Sequence, residues 1–153
     1  MVINYSGKEV IKGDKSIFLA GPTPRNKGSI SWRPEALDIL NKLDFSGIVY
    51  VPEYENGPGI VDDDKQFAWE LEALEAAKVI AFWVPRKLPD MPAFTTNVEF
   101  GYWIRTGKVI YGRPDGAEHV GYLDRLYKFR TNNNPFHDLE QLLRQGISLC
   151  DIK

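Results

Sequence analysis

Two glutamates, Glu70 and Glu99, are the residues of this sequence best placed to do chemistry. They bracket the apolar run Val79–Val84, Glu70 before it and Glu99 after it. Neighbouring carboxylates can divide roles, one ionised as a nucleophile and one protonated or hydrogen-bonded as an acid or orienter. Attack at an anomeric carbon suits such a pair, because it needs a good anion and stabilisation of an oxocarbenium-like state. Other chemistries lack their residues. His119 and His137 have neither a cysteine nor a second histidine beside them, which argues against a zinc site or a histidine triad. No Gly-rich phosphate loop follows the first clear strand. Neither a metal nor a cofactor is expected. Both glutamates also have purely structural readings: Thr96-x-x-Glu99 has capping-box spacing whether or not there is catalysis, and Glu70 can pair with Lys65 or Arg105.

The elements that must position these groups follow from apolar runs and their stops. Val79–Val84, ended by Pro85, reads as a central strand buried on both faces. The helix after it is expected to start at Thr96, with Phe100, Trp103 and Ile104 at helical intervals, so that Glu99 stands just beyond the strand's carboxyl end. Before it, a helix from Lys65 to Ala77, capped by one of Asp62, Asp63 and Asp64, places Phe67, Leu71 and Leu74 on one arc, with Glu70 about 60° from the centre of that arc. Ile17–Ala20 and Ile48–Val51 flank a helix Trp32–Leu43 capped by Ser31, which makes a right-handed crossover unit. Val109–Tyr111 is a further core strand. Val2–Tyr5 with Val10–Ile11 reads as an edge hairpin, Ala117–Arg130 as a helix, and a last helix runs from Pro135 to about Gln145 with Gly146 as its stop. The fold class is α/β, with four or five parallel strands and helices on both faces of one domain.

The bulk properties agree with that picture. A chain of 153 residues suits one domain with a sizeable core. The lone Cys150 excludes an intramolecular disulfide and fits a reducing compartment, and with no leader and no membrane-length apolar run a cytoplasmic protein is expected. The formal net charge is −2 and no dense basic patch occurs, so neither a nucleic acid polymer nor a membrane is an expected partner. Four Trp, seven Tyr and eight Phe exceed the needs of a small core, which points to rings at a pocket or between subunits. Trp32, Tyr50, Trp69, Phe94 and Trp103 are candidates to enclose a flat ligand, with Lys87–Phe94 as a segment able to close over them.

Several segments together carry a resemblance: IFLAGP at Ile17–Pro22, WRPEAL at Trp32–Leu37, YVPE at Tyr50–Glu53, WELEALEAAKVIAFWVP at Trp69–Pro85, TTNVEFG at Thr95–Gly101 and KVIYGRP at Lys108–Pro114. In this order they resemble the nucleoside 2-deoxyribosyltransferase superfamily, in particular its small divergent branch. The resemblance implies a flavodoxin-like three-layer sandwich that exchanges the base of a 2'-deoxyribonucleoside through a covalent deoxyribosyl-glutamate. It implies Glu99 as nucleophile and Glu70 as the acidic residue that places it and handles the leaving base's proton. It implies sugar contacts from the loop Gly21 to Arg25, which includes Pro22, and from Thr96 and Asn97; beside these, Trp32, Arg33 and Trp69 are candidates for substrate binding by their residue types. Its implied partners are a nucleoside, a free nucleobase and further copies of the same chain in a homo-oligomer.

One departure from the family pattern bears on the donor. Typical transferases carry an aspartate and a glycine shortly before the nucleophile, where this chain has AFTTN. Related hydrolases of nucleoside 5'-monophosphates hold phosphate there with hydroxyls and glycines, and Thr95 and Thr96 supply hydroxyls without the glycines. A nucleoside donor is therefore preferred, with Arg25 and Arg33 keeping a nucleotide open. The alternatives to a transferase are an N-glycosidase that hydrolyses such a donor and a nucleotide-binding domain without turnover.

Overall fold

Each apolar run closed by proline or glycine becomes a strand of one parallel sheet. The computed structural model describes residues 1–24, 30–55 and 63–152. Its strands are β1 (Val2–Tyr5), β2 (Ser16–Ala20), β3 (Ile48–Val51), β4 (Val79–Trp83) and β5 (Val109–Gly112), in the order β1-β3-β2-β4-β5. All four pairings are parallel. Because side chains alternate along a strand, Ile17, Leu19, Val49, Val79 and Ala81 point to one face, and Phe18, Tyr50, Ile80, Phe82 and Tyr111 to the other. The first face is covered by α1 (Arg33–Lys42) and α5 (Leu139–Asp151). The second is covered by α2 (Asp63–Ala76), α3 (Phe94–Trp103) and α4 (Gly121–Thr131). These three layers are those of a flavodoxin-like sandwich. Among the described residues no helix is long and apolar enough to cross a membrane.

The strand order creates a place for a site. From β2 the chain crosses through α1 to β3 on one side, whereas β4 lies on the other side of β2. The loops leaving β2 and β4 therefore diverge and open a crevice at the carboxyl end of the sheet. Gly21 sits at this divergence with φ +147°, and a Cβ there would come within 2.1 Å of the Trp83 carbonyl oxygen. Only glycine fits so close to a backbone atom. Gly21→Ala is expected to lower the melting temperature by roughly 5–10 °C, because the neighbour that must yield is backbone. An unchanged melting temperature in a calorimetric scan would contradict this packing.

Several boundaries differ from the sequence expectations. Val2–Tyr5 makes no hairpin with Val10 and Ile11; it pairs with β3, and the Asn4 side chain ties the returning chain by donating to Glu9 O (3.0 Å) and accepting from the Ile11 amide (3.0 Å). Helix α3 begins at Phe94, two residues before Thr96, after Ala93 in the left-handed region (φ 58°), and no capping box forms. Ser31 is not the N-cap of α1, a position held by Trp32, but its hydroxyl still accepts from the Arg33 amide (3.2 Å). Helix α4 begins at Gly121 instead of Ala117. Pro135 does not open the last helix, since Phe136 is drawn to the edge of β5 by bonds with Tyr111 O and the Arg113 amide. Asp138 caps that helix instead, accepting from the Gln141 amide at 2.8 Å. Gly146 does not end it: the glycine lies inside α5, where an added Cβ would meet Ile110 Cδ1 at 3.3 Å, and so lets the helix pack closely on the sheet.

Candidate active site

The crevice between β2 and β4 holds a cleft of about 600 Å³. Its walls are the loop after β2, the inner face of α2 and the first two turns of α3. Helix α2 precedes β4 and runs against it, so its N-terminal half lies over the carboxyl ends of the strands. At 100° per residue, Trp69, Glu70, Ala73 and Ala77 span an arc of about 80–100° facing the sheet. Trp69, Ala73 and Ala77 fill the core, while Gln66 and Glu70, nearer the start of the helix, overhang the cleft. Phe67 and Leu71, expected in the packed arc with Leu74, are exposed. Helix α3 is seated by Phe100, edge-on to Phe82 (5.2 Å) and Tyr111 (5.1 Å), and this seating turns Thr96 and Glu99, one turn apart, toward the same cleft.

Arg33 fixes the loop after β2. It is 1% exposed, and its Nε donates to Leu19 O (3.0 Å), its Nη2 to Gly21 O (2.7 Å) and its Nη1 to Thr23 Oγ1 (3.1 Å) and Glu53 Oε1 (2.6 Å). Glu53 also accepts from the Ser31 hydroxyl (2.7 Å), so the ends of β2 and β3 and the start of α1 share one partly buried network centred on Arg33. Burial draws the Arg33 pKa down, opposed by Glu53 and then by Glu99 and Glu70. The guanidinium is thus a fixed positive charge behind the cleft, with its donors largely spent on protein oxygens.

The two glutamates carry the electrostatics. Burial, and next the charge of Glu70, push Glu99 up to about 7, with Arg33 opposing. Glu70 is likewise raised by burial, against the hydrogen bond from Gln66 Nε2 (2.9 Å) and the charge of Arg33. Among the described residues no hydrogen bond is made to the Glu99 carboxylate. The group is therefore open toward the cleft. At the start of α3 no side chain caps the helix, so the amides of Phe94, Thr95 and Thr96 are orphaned at the cleft wall. A chain that places two coupled carboxylates, one near neutrality and unpartnered, at a topological switch point has the parts for nucleophilic substitution. Among the described residues no group of three or more His, Cys, Asp or Glu could hold a metal ion.

Residues 14–117 match the family model described as nucleoside 2-deoxyribosyltransferase like. The chain belongs to that family. No curated protein matches it. The match covers β2 through β5 and the cleft, leaving β1, α4 and α5 outside it. Of the residues singled out from this deoxyribosyltransferase-like sequence, Glu70, Glu99, Gly21, Pro22, Arg33 and Thr96 line the cleft together. Trp32 and Trp69 do not line it: Trp32 packs under α1 and donates to Pro22 O (3.2 Å), and Trp69 packs against Phe18 (6.4 Å between ring centroids). Asn97 faces away from the lining and accepts from Arg86. Arg25 lies outside the described residues, as does Asp62. Of the rings expected to enclose a base, Tyr50 and Trp103 are also core, and Phe94 alone reaches the cleft. Sequence reasoning passes over Gln66 and assigns Phe67 to the packed arc, whereas both line the cleft; the signal for Gln66 is its i, i+4 spacing from Glu70.

Proposed function

We propose that the protein is a nucleoside 2-deoxyribosyltransferase working through a covalent glycosyl-enzyme. The observation that carries this reading is the presence of Glu70 and Glu99 on two helices of one cleft, electrostatically coupled, within a chain of this family. The Glu99 carboxylate attacks C1' of the donor, the C1'–N bond breaks, and the base departs with a proton supplied through Glu70. A second base then attacks C1', the ester C1'–O bond breaks, and the incoming nitrogen's proton returns to the carboxylate pair. Two displacements at one carbon retain the β configuration. Because burial raises both glutamates and the charge of Glu70 raises Glu99 further, the pair readily keeps one proton near neutral pH, and the developing positive charge on the sugar favours the state in which Glu99 is the ionised member.

The donor is a nucleoside in this proposal. Two carboxylates repel a phosphate, and the cation on the described lining, Arg33, is engaged by Leu19, Gly21, Thr23 and Glu53. The test is incubation of the protein with deoxyinosine and free adenine or cytosine. A new β-deoxynucleoside is expected, and release of free deoxyribose alone at saturating acceptor would replace the transferase with an N-glycosidase. One observation favours that second reading: the rings bordering the cleft are open to solvent, Phe67 being 62% and Phe94 65% exposed, so water is not shut out of the single chain.

A homo-oligomer would supply the missing cover. Phe94, Val98 and Tyr102 recur every fourth residue along the outer side of α3, and Phe67 and Leu71 do so on α2, all exposed beside the cleft. Light scattering is expected to give at least twice the 17.4 kDa chain mass, with Val98→Asp shifting the population toward monomer. A monomer mass that does not change with concentration would contradict the assembly.

A further inference from the structure

Arg86 follows directly on the proline that ends the central strand and is only 6% exposed. Its Nη1 donates to His119 O (2.6 Å) and its Nη2 to Asn97 Oδ1, while its Nε is buried with no hydrogen-bond partner. Among the described residues no carboxylate pairs with it. A buried cation without a counter-charge is a poor way to stabilise a fold, since an apolar side chain of similar volume would serve better. What the guanidinium does provide is a link between elements. Its own carbonyl accepts from the Glu118 amide (3.0 Å), and Glu118 Oε2 accepts from the Leu88 amide (2.9 Å), so the segment leaving β4 is fastened to the loop before α4. Through Asn97 the same guanidinium reaches the second wall of the cleft.

Asn97 is the residue at which α3 becomes self-supporting, because its amide makes the first bond of the helix, to Ala93 O (3.2 Å). The turn before it has no side-chain cap and starts from a left-handed Ala93. Downstream, Phe100 is fixed in the core by Phe82 and Tyr111. Glu99 lies between these two points. We infer that Arg86 is a positioning residue for Glu99: by clamping Asn97 to the end of β4 and to the His119 carbonyl, it holds the uncapped start of α3 in the register that aims the Glu99 carboxylate into the cleft. The inference rests on Glu99 being the nucleophile. It also removes the Asn97 carbonyl oxygen from the groups free to meet a sugar. Displacement of a reacting atom by about 1 Å is enough to slow a positioned reaction by on the order of a hundredfold.

The test uses Arg86→Lys, which keeps the charge but not the two-pronged reach, together with Asn97→Ala and the double variant, since Arg86→Ala leaves a cavity and risks misfolding. Base exchange from deoxyinosine to cytosine is measured alongside hydrogen exchange of the backbone amides of residues 94–101. Each single variant is expected to lose about 10- to 100-fold in kcat with KM changed less than about threefold, and to lose protection at the start of α3. The double variant is expected to be no slower than the poorer single one, because both act through one bond. Unchanged kcat in Asn97→Ala, a loss carried by KM, or single effects that multiply in the double variant would each overturn the inference. If the wild type exchanges no base at all, the proposed function fails on its own. The amide protection then decides whether Arg86 holds α3, and unchanged protection in both single variants overturns that as well.

Discussion

Glu99→Gln is expected to abolish base exchange while making the protein more stable above neutral pH. The loss follows from the removal of the anion that attacks C1': a carboxamide in the same position is no nucleophile, and turnover should fall by at least about a hundredfold. The gain follows from linkage. In the folded protein Glu99 is raised to about 7 by burial and by Glu70, whereas in the unfolded chain it titrates as an ordinary glutamate near 4.3. The folded state therefore binds this proton more tightly, and the stability the group contributes is full below about 4.3 and is lost as pH rises through 7. At pH 8 the wild type carries nearly the whole penalty of a buried, repelled carboxylate, on the order of 3–4 kcal/mol, and the glutamine variant carries none. Thermal melts of both proteins at pH 5 and pH 8 should show a stability difference that opens on the alkaline side. A variant that is inactive and also less stable at pH 8 would mean that Glu99 is held for folding and not for chemistry. The same titration predicts that wild-type kcat/KM rises with pH as Glu99 ionises, because only the ionised group attacks, and turns over above about 7, where the pair gives up the proton that the departing base needs.

Much of the scaffold was legible because its signals are local. β3 falls on Ile48–Val51 as expected, and β2, β4 and β5 fall within a residue of the runs that Gly21, Pro85 and Gly112 close. A run of buried β-branched and aromatic residues stopped by proline or glycine leaves few other structures. The start of α3 was misjudged because Thr96-x-x-Glu99 has the right spacing for a capping box, while the actual start depends on Ala93 adopting positive φ, a backbone state no local side chain announces. Gly146 read as a stop because glycine usually is one; its reason here is the nearness of Ile110 and Ile17, a tertiary contact. The rings were the least legible part. Trp69 and Phe67 lie two residues apart on α2, and only the rotation of that helix on the sheet decides that Trp69 is buried and Phe67 open. Glu70 reached the cleft for a reason different from the one the sequence suggested: it belongs to the buried face of α2 at the end that outruns the sheet, and is not at the margin of an arc of Phe67, Leu71 and Leu74. The role of Arg86 was invisible because its partners, Asn97 and His119, are remote in sequence.

The Glu70→Gln variant is expected to separate proton delivery from electrostatics. A glutamine at this position still offers an oxygen to Gln66 Nε2, so α2 keeps its local hydrogen bond and the cleft its shape. What disappears is the proton that accompanies the departing base, and turnover should fall by about 10²–10⁴ for natural bases, which leave poorly without protonation. A donor whose base leaves as a stable anion needs no such proton and should lose far less. The second effect concerns Glu99. Glu70 is the second cause of its raised pKa, after burial, so removing that charge should move the acid limb of kcat/KM to lower pH. Burial remains in the variant, and the limb should therefore stop above the ordinary carboxylate value of about 4.3. Profiles of kcat/KM from pH 4.5 to 9 with both donors read the two effects independently. An equal loss for good and poor leaving groups would remove Glu70 from proton delivery, and an acid limb that stays in place or moves upward would show that its charge does not act on Glu99.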